Sequence, residues 1–180
     1  MFGFKRRQDG PDPVETLHTY VVEASRRPEL YVAGGLPDTM EGRFEALTLH
    51  AMVVLRRLRQ LPEPAGDVAQ EFTDSLFAHL EVALREMGVG DFGVPKRMKK
   101  LAGAFFDRTA KYDPLLAASD VDGLAAELAD RLAVEPASVR PVAKLAFASE
   151  KRLAGADLAS ILAGPPFASV TEVETSEKKP

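Results

Sequence analysis

The stretch from Met40 to Leu61 places its apolar residues at alternating steps of four and three positions. The residues in this series are Met40, Phe44, Leu47, Ala51, Val54, Leu58 and Leu61. Because an α-helix turns once every ~3.6 residues, this spacing predicts an amphipathic helix with these side chains on one face. Asp38 and Glu41 have the spacing of a capping box, so we expect the helix to begin at Asp38. We find no segment of useful length with the alternation of a β-strand.

Helix signals recur along the rest of the chain. Asp12 before Pro13 is typical of a helix start. Further helices are predicted at Pro13–Arg27, Asp67–Met87, Pro95–Lys111, from Asp113, from Asp120 or Asp122 to Ala133, from Pro136, and at Asp157–Leu162. We therefore expect an all-α fold, a single compact domain of about six to eight helices over residues 12–164. Residues 1–11 are predicted to be flexible and residues 165–180 to form a disordered tail.

Composition and motifs narrow the classes of function. The chain has no cysteine, which excludes disulfides, thiolate metal sites and a cysteine nucleophile. Its histidines, His18, His50 and His79, lie on different predicted helices and lack the spacing of metal ligands. A phosphate-binding loop and a serine nucleophile motif are also missing. We therefore expect a protein that is not an enzyme and that holds no metal or cofactor.

The segment from Pro95 to Lys111 is strongly basic. It holds six basic residues and one acidic residue, Asp107, in a chain of net charge −4. The basic residues are Lys96, Arg97, Lys99, Lys100, Arg108 and Lys111, and Phe106 lies among them. The apolar stripe of the same helix is predicted to be Val94, Met98, Leu101, Phe105 and Tyr112. The basic side chains indicate either a surface for RNA, lipid headgroups or an acidic helix, or a solvated face that the acidic segment Asp113–Glu135 neutralises.

A second candidate surface lies at the start of the Met40–Leu61 helix. Arg43, His50 and Arg57 are spaced by seven, so they form a nearly straight polar line. Gly42 costs roughly 1 kcal/mol relative to alanine inside a helix, but it allows another backbone or side chain to approach closely. The two interpretations are a contact with a partner, or surface charge beside a packing glycine.

The N-terminal sequence MFGFKRR is not a secretory signal, because no apolar region follows its charges. Two phenylalanines beside three basic residues indicate either a weak contact with an anionic membrane or a frayed terminus. The longest nearly apolar window, Leu47–Leu55, is far shorter than the ~18 residues that a membrane-spanning helix needs.

Three stretches resemble the ubiquinol–cytochrome c chaperone family of mitochondria and related bacteria. They are LPDTMEGRFEALTLHAMVVLRRL, REMGVGDFGVPKRMKKLAGAFFDRTAKYDPLL and LAAELADRL, in that order. The resemblance covers roughly Leu30 to Leu153. The chain differs from the mitochondrial members in having no tryptophan and in lacking most of their N-terminal extension.

The resemblance implies an all-helical assembly factor that acts on newly made cytochrome b and helps to build the cytochrome bc complex. It also implies contacts with the ribosome or with a small helical partner, no small-molecule substrate, and a cytoplasmic location at the inner face of the cytoplasmic membrane. The alternative is a helical nucleic-acid or ribosome-binding module that uses the basic face. The candidate client- or partner-binding residues are Asp38, Thr39, Gly42, Arg43, His50, Arg57, Asp91, Lys96, Arg97, Lys99, Lys100, Phe106 and Tyr112.

Overall fold

The computed structural model describes residues 12–177, with side chains up to residue 173. These residues form helices and contain no β-strand, which confirms the predicted all-α class. The helices are α1 (Pro13–Ser25), α2 (Glu29–Val32), α3 (Met40–Leu58), α4 (Ala65–Glu86), α5 (Val94–Ala117), α6 (Val121–Leu132), α7 (Pro136–Leu153), α8 (Leu158–Ala163) and α9 (Val170–Glu177). The predicted flexible segment 1–11 lies outside the described residues.

Short polar side chains fix where several helices begin. The carboxylates of Asp12, Asp120 and Asp157 each accept a backbone N–H from the first turn of α1, α6 and α8. At α3 the predicted capping residue is wrong. Thr39 is the N-cap, and its Oγ1 accepts the N–H of Gly42 at 3.2 Å, because the carboxylate of Asp38 is bound to Arg43 instead.

Helix α5 continues through Pro114, where the sequence predicts a new helix to begin. A proline inside a helix removes one backbone hydrogen bond, so this continuation needs support from elsewhere. Tyr112 and Leu116, on either side of Pro114, are both buried in the core, and Arg56 of α3 donates a hydrogen bond to the carbonyl oxygen of Asp113. Tertiary packing therefore overrides the local signal at this position.

The core has two parts, and α3 contributes to both. One side of α3, with Val54 and Leu58, packs with α1, α4 and α8. Its other side, with Leu49 and Met52, packs with α5, α6 and α7. This position makes α3 the central helix of the fold, and its burial on two sides exceeds the single stripe that the sequence predicts. Met40, the first residue of that stripe, is exposed.

The structure differs from the predicted tail between residues 165 and 177. Phe167, Ala168 and Val170 are buried, and α9 packs against α7. Ser169 and Glu172 form a reciprocal capping box, in which each side chain accepts the backbone N–H of the other. The Ser-x-x-Glu pattern is present in the sequence and indicates a helix start at Ser169. The prediction of a disordered tail did not take it into account.

Candidate partner-binding site

The first two turns of α5 carry four exposed cations, Lys96, Arg97, Lys99 and Lys100, which we call the basic end of α5. Their α-carbons lie within roughly 6 Å along the axis, given a rise of ~1.5 Å per residue. None of the ion pairs among the described residues includes these four side chains. The structure therefore brings together four of the predicted site residues as uncompensated surface charge.

The two remaining cations of the predicted basic face behave differently. Arg108 turns inward to the carboxylate of Glu45, and Lys111 Nζ lies 4.0 Å from a carboxylate oxygen of Glu127. Of the acidic residues between Asp113 and Glu135, Glu127 is thus the one that pairs with a cation of this face. Acidic side chains of the protein therefore neutralise Arg108 and Lys111, in the second half of the face. The basic end of α5 keeps its charge and is accessible to a partner.

A buried polar network joins α3 to α5. The side chain of Glu45 is 0% exposed, and its carboxylate accepts hydrogen bonds from Arg108 Nε at 2.5 Å and from the Tyr112 hydroxyl at 2.7 Å. Burial, together with the neighbouring Glu45 charge, raises the pKa of Tyr112, so its phenol remains a donor. The guanidinium of Arg108 also stacks over the Phe44 ring, with Cζ 4.9 Å from the ring centroid.

This network changes the interpretation of Tyr112. Its side chain is buried, which agrees with its place in the predicted apolar stripe but leaves it inaccessible to a partner in this structure. Sequence reasoning missed Glu45 because Glu45 and Arg108 are 63 residues apart and no local pattern links them.

The polar line of Arg43, His50 and Arg57 is not a surface feature. Arg43 is exposed and Arg57 is half-buried, but His50 is buried, because α3 packs on two sides. The Nδ1–H of His50 donates to the carbonyl of Ala46 at 2.7 Å, and its ring makes a T-shaped contact with the Phe167 ring, with the two centroids 4.9 Å apart. Arg57 Nε donates to the carbonyl of Ala156 at 2.9 Å.

We expect His50 to make the fold sensitive to acid. Burial lowers the pKa of His50 to about 4, so the folded state holds it neutral while the unfolded chain takes up a proton below its ordinary value of 6.5. Stability is therefore lost as the pH falls, by about 2 kcal/mol between about pH 7 and about pH 5. Urea unfolding at both pH values measures this loss.

The matched control for this prediction is His50→Gln. Burial also lowers the pKa of His18 and of His79, so this variant should keep a smaller acid dependence. Equal losses in the parent protein and in His50→Gln would show that His50 is not the source.

The close approach predicted at Gly42 occurs within the chain. A Cβ at Gly42 would lie 1.9 Å from the carbonyl oxygen of Pro37, so the missing side chain makes room for the preceding loop. The neighbouring candidates Asp38, Thr39 and Arg43 are exposed at the start of α3, where Arg43 Nε and the Asp38 carboxylate are 2.7 Å apart. These three side chains remain accessible to a partner.

The loop between α4 and α5 exposes an aromatic side chain. Phe92 is 103% exposed and was not among the predicted candidates, although its place in a glycine-rich loop was a usable signal. The candidate residue Asp91 is bound to Arg85, which also pairs with Glu81 at 2.9 Å.

The end of α4 has the backbone conformation that the sequence predicts. Gly88 has a φ of 80°, the left-handed conformation predicted for the end of α4.

The exposed side of α5 beyond its basic end holds Gly103 and Phe106, which we call the outward face of α5. Phe106 is 55% exposed, and its ring packs beside Phe77 and Phe105 with centroid distances of 5.9 and 5.6 Å. No atom lies within 4 Å of the place where a Cβ at Gly103 would stand. Another chain can therefore approach the backbone of α5 closely beside an accessible aromatic ring.

A surface groove of about 430 Å³ lies between α3 and α7. Its lining includes Val53, Arg56, Arg57 and Phe147. Arg56 is bound to Glu150 at 2.8 Å and to Asp113, so its charge is compensated within the fold. Within residues 12–177, we find no group of three or more histidine and carboxylate side chains that could hold a metal ion.

The described residues thus define an all-α protein with two distinctive surface features on α5, a cluster of cations and an accessible aromatic ring. Residues 32–169 match the family model of the ubiquinol–cytochrome c chaperones, so the chain belongs to that family. The crystal structure of the Cbp3 homolog from Brucella abortus superposes with a TM-score of 0.77 and 31% identity. The match covers 89% of this chain and 91% of that one. A comparison with curated protein sequences gave no match.

These findings confirm the resemblance drawn from the sequence. None of the described helices has the length and hydropathy needed to cross a membrane.

Proposed function

We propose that this protein is a non-catalytic assembly chaperone that binds newly made cytochrome b during biogenesis of the ubiquinol–cytochrome c reductase complex. Membership of the ubiquinol–cytochrome c chaperone family supports this role. Because the client is a membrane protein, we further propose that the chaperone acts at the inner face of the cytoplasmic membrane.

The outward face of α5 is the observation that carries the proposal. A chaperone for a membrane protein must offer accessible apolar surface, and most large apolar side chains of this fold are buried. Phe106 keeps about half of its surface exposed, so covering it with an apolar client segment contributes about 1 kcal/mol. The open space at Gly103 allows such a segment to lie against the helix backbone.

The other accessible candidates are proposed as secondary contacts. Asp38, Thr39 and Arg43 form a polar surface at the start of α3, and Asp91 lies in the loop before α5. Arg57 borders the groove between α3 and α7. Contacts with the ribosome or with a small helical partner stay predictions.

We expect a photo-reactive benzoylphenylalanine in place of Phe106 to crosslink cytochrome b in cells that are assembling the complex. Crosslinked products are identified by mass spectrometry. The matched control places the same group at Val32, which is 85% exposed but lies in α2, packed against α9. Cytochrome b captured at Phe106 and not at Val32 supports the proposal, whereas equal capture or none contradicts it.

The alternative function, binding of RNA or the ribosome, rests on the basic end of α5. Binding through phosphates weakens steeply with salt, by about one power of the salt concentration for each contact. Ribosomal RNA captured at Phe106 without cytochrome b, together with a steep salt dependence of RNA binding, would favour this alternative.

A further inference from the structure

The loop that joins α4 to α5 is exposed over most of its length. We call residues 87–93, from Met87 to Gly93, the α4–α5 tip. A Cβ at Gly88 or at Gly90 would have no atom within 4 Å, so there is open space beside both residues. Two large apolar side chains lie on it, Phe92 at 103% and Met87 at 52% exposure. The Phe92 ring is therefore fully accessible and contributes nothing to the core.

The charge around the tip is opposite in sign to that of the whole chain. Between Arg85 and Lys100 there are five basic and two acidic residues, a net charge of +3, whereas the chain carries −4. One acidic residue, Asp91, is bound to Arg85. The four cations of the basic end of α5 directly follow the tip and have no carboxylate partner among the described residues.

We propose that the α4–α5 tip docks on a bilayer that contains anionic lipids. Phe92 enters the boundary between headgroups and acyl chains, and the basic end of α5 lies over the lipid phosphates. Lysine and arginine have long apolar stems, so their charges can stay at the headgroups while the stems follow the ring inward. The inference deepens the proposed membrane-peripheral role and rests on it for its biological meaning.

The exposure of Phe92 and the charge beside the tip favour a bilayer over a protein or an RNA. Protein hot spots are aromatic or arginine side chains that fill concave, fully desolvated pockets. Single-stranded RNA is held in basic grooves whose walls carry aromatic platforms. An exposed apolar ring on a loop followed by uncompensated cations instead matches the pairing of apolar insertion and electrostatic attraction that holds peripheral proteins on anionic membranes.

The absence of tryptophan from the chain allows a local test. In Phe92→Trp the indole is the sole tryptophan, and we expect its emission to shift to the blue with vesicles of phosphatidylcholine and phosphatidylglycerol but not with phosphatidylcholine alone. Val32→Trp, also at an exposed position, is the control and should show no shift. Because the reporter is local, binding through the N-terminal phenylalanines cannot produce the Phe92→Trp signal.

Charge reversal tests the proposed contact between the basic end of α5 and the lipid phosphates. Lys99→Glu with Lys100→Glu should weaken co-sedimentation with the anionic vesicles at least about tenfold, since each basic residue near such a surface adds substantially to binding. Arg59→Glu with Lys151→Glu makes the same change in net charge at exposed positions away from the tip, and should weaken it far less.

Equal losses in the two charge-reversal variants, or an unshifted Phe92→Trp emission with anionic vesicles, would overturn the inference. So would a Phe92→Trp response to oligouridylate RNA in the absence of any response to vesicles. The vesicle assays contain no client, so their failure leaves the cytochrome b proposal standing. Failure of the Phe106 crosslink, in turn, leaves the vesicle result standing.

Discussion

Replacing Glu45 by alanine is expected to lower the free energy of unfolding by about 3–5 kcal/mol, the cost of removing one partner from a buried ion pair. The carboxylate is fully buried and binds both Arg108 and Tyr112. Without it, the Arg108 guanidinium, whose side chain is 12% exposed, remains in the interior with an uncompensated charge. Urea unfolding followed by circular dichroism measures the loss.

Tyr112→Phe is the matched control for the Glu45 network. It removes one hydroxyl and leaves the pair between Glu45 and Arg108 intact, so we expect a loss of about 1–2 kcal/mol. If Glu45→Ala cost no more than Tyr112→Phe, the network would not be the main link between α3 and α5.

Gly42→Ala is expected to destabilise the fold by about 3 kcal/mol, at the upper end of the cost of overpacking. Helix propensity alone predicts the opposite, a gain of roughly 1 kcal/mol. The structure reverses the sign because the new Cβ would meet the carbonyl oxygen of Pro37 at 1.9 Å. That atom belongs to the main chain, so α3 and the loop before it must separate to relieve the overlap.

Gly103→Ala provides the contrast with Gly42→Ala. Both glycines lie inside helices, but nothing surrounds the Cβ position at Gly103, so this variant should gain roughly the 1 kcal/mol that propensity predicts. Thermal unfolding of the two variants under the same conditions tests the pair. A gain in both would show that the loop at Pro37 yields easily, and a loss in both would show that the outward face of α5 is already covered.

The buried network also explains where the accessible charge of α5 lies. Local spacing places Arg108 on the same face as Arg97 and Lys100. Glu45 draws Arg108 inward and Lys111 lies near Glu127, so the uncompensated charge of this face is confined to the basic end of α5, which begins four residues after Phe92 in the sequence. The buried Glu45–Arg108 ion pair thereby limits the proposed membrane-docking surface to one end of α5.

The sequence by itself determined the helical class, the approximate position of most helices and the family. These features follow from local rules, namely the period of apolar residues, short polar caps such as Asp12 and Asp157, and motifs in a fixed order. The start of α9 was also within reach, because the Ser169–Glu172 capping box is a local signal.

Only the tertiary structure decided which polar residues are accessible. His50 lies on the polar line predicted for α3, and Tyr112 is both in the predicted apolar stripe of α5 and among the candidate contacts; α3 and α5 are covered by several neighbours, which bury both side chains. The continuation of α5 through Pro114 and the pairing of Glu45 with Arg108 likewise depend on residues far apart in the chain. The burial of a side chain depends on contacts with several helices, so it cannot be read from a single stretch of sequence.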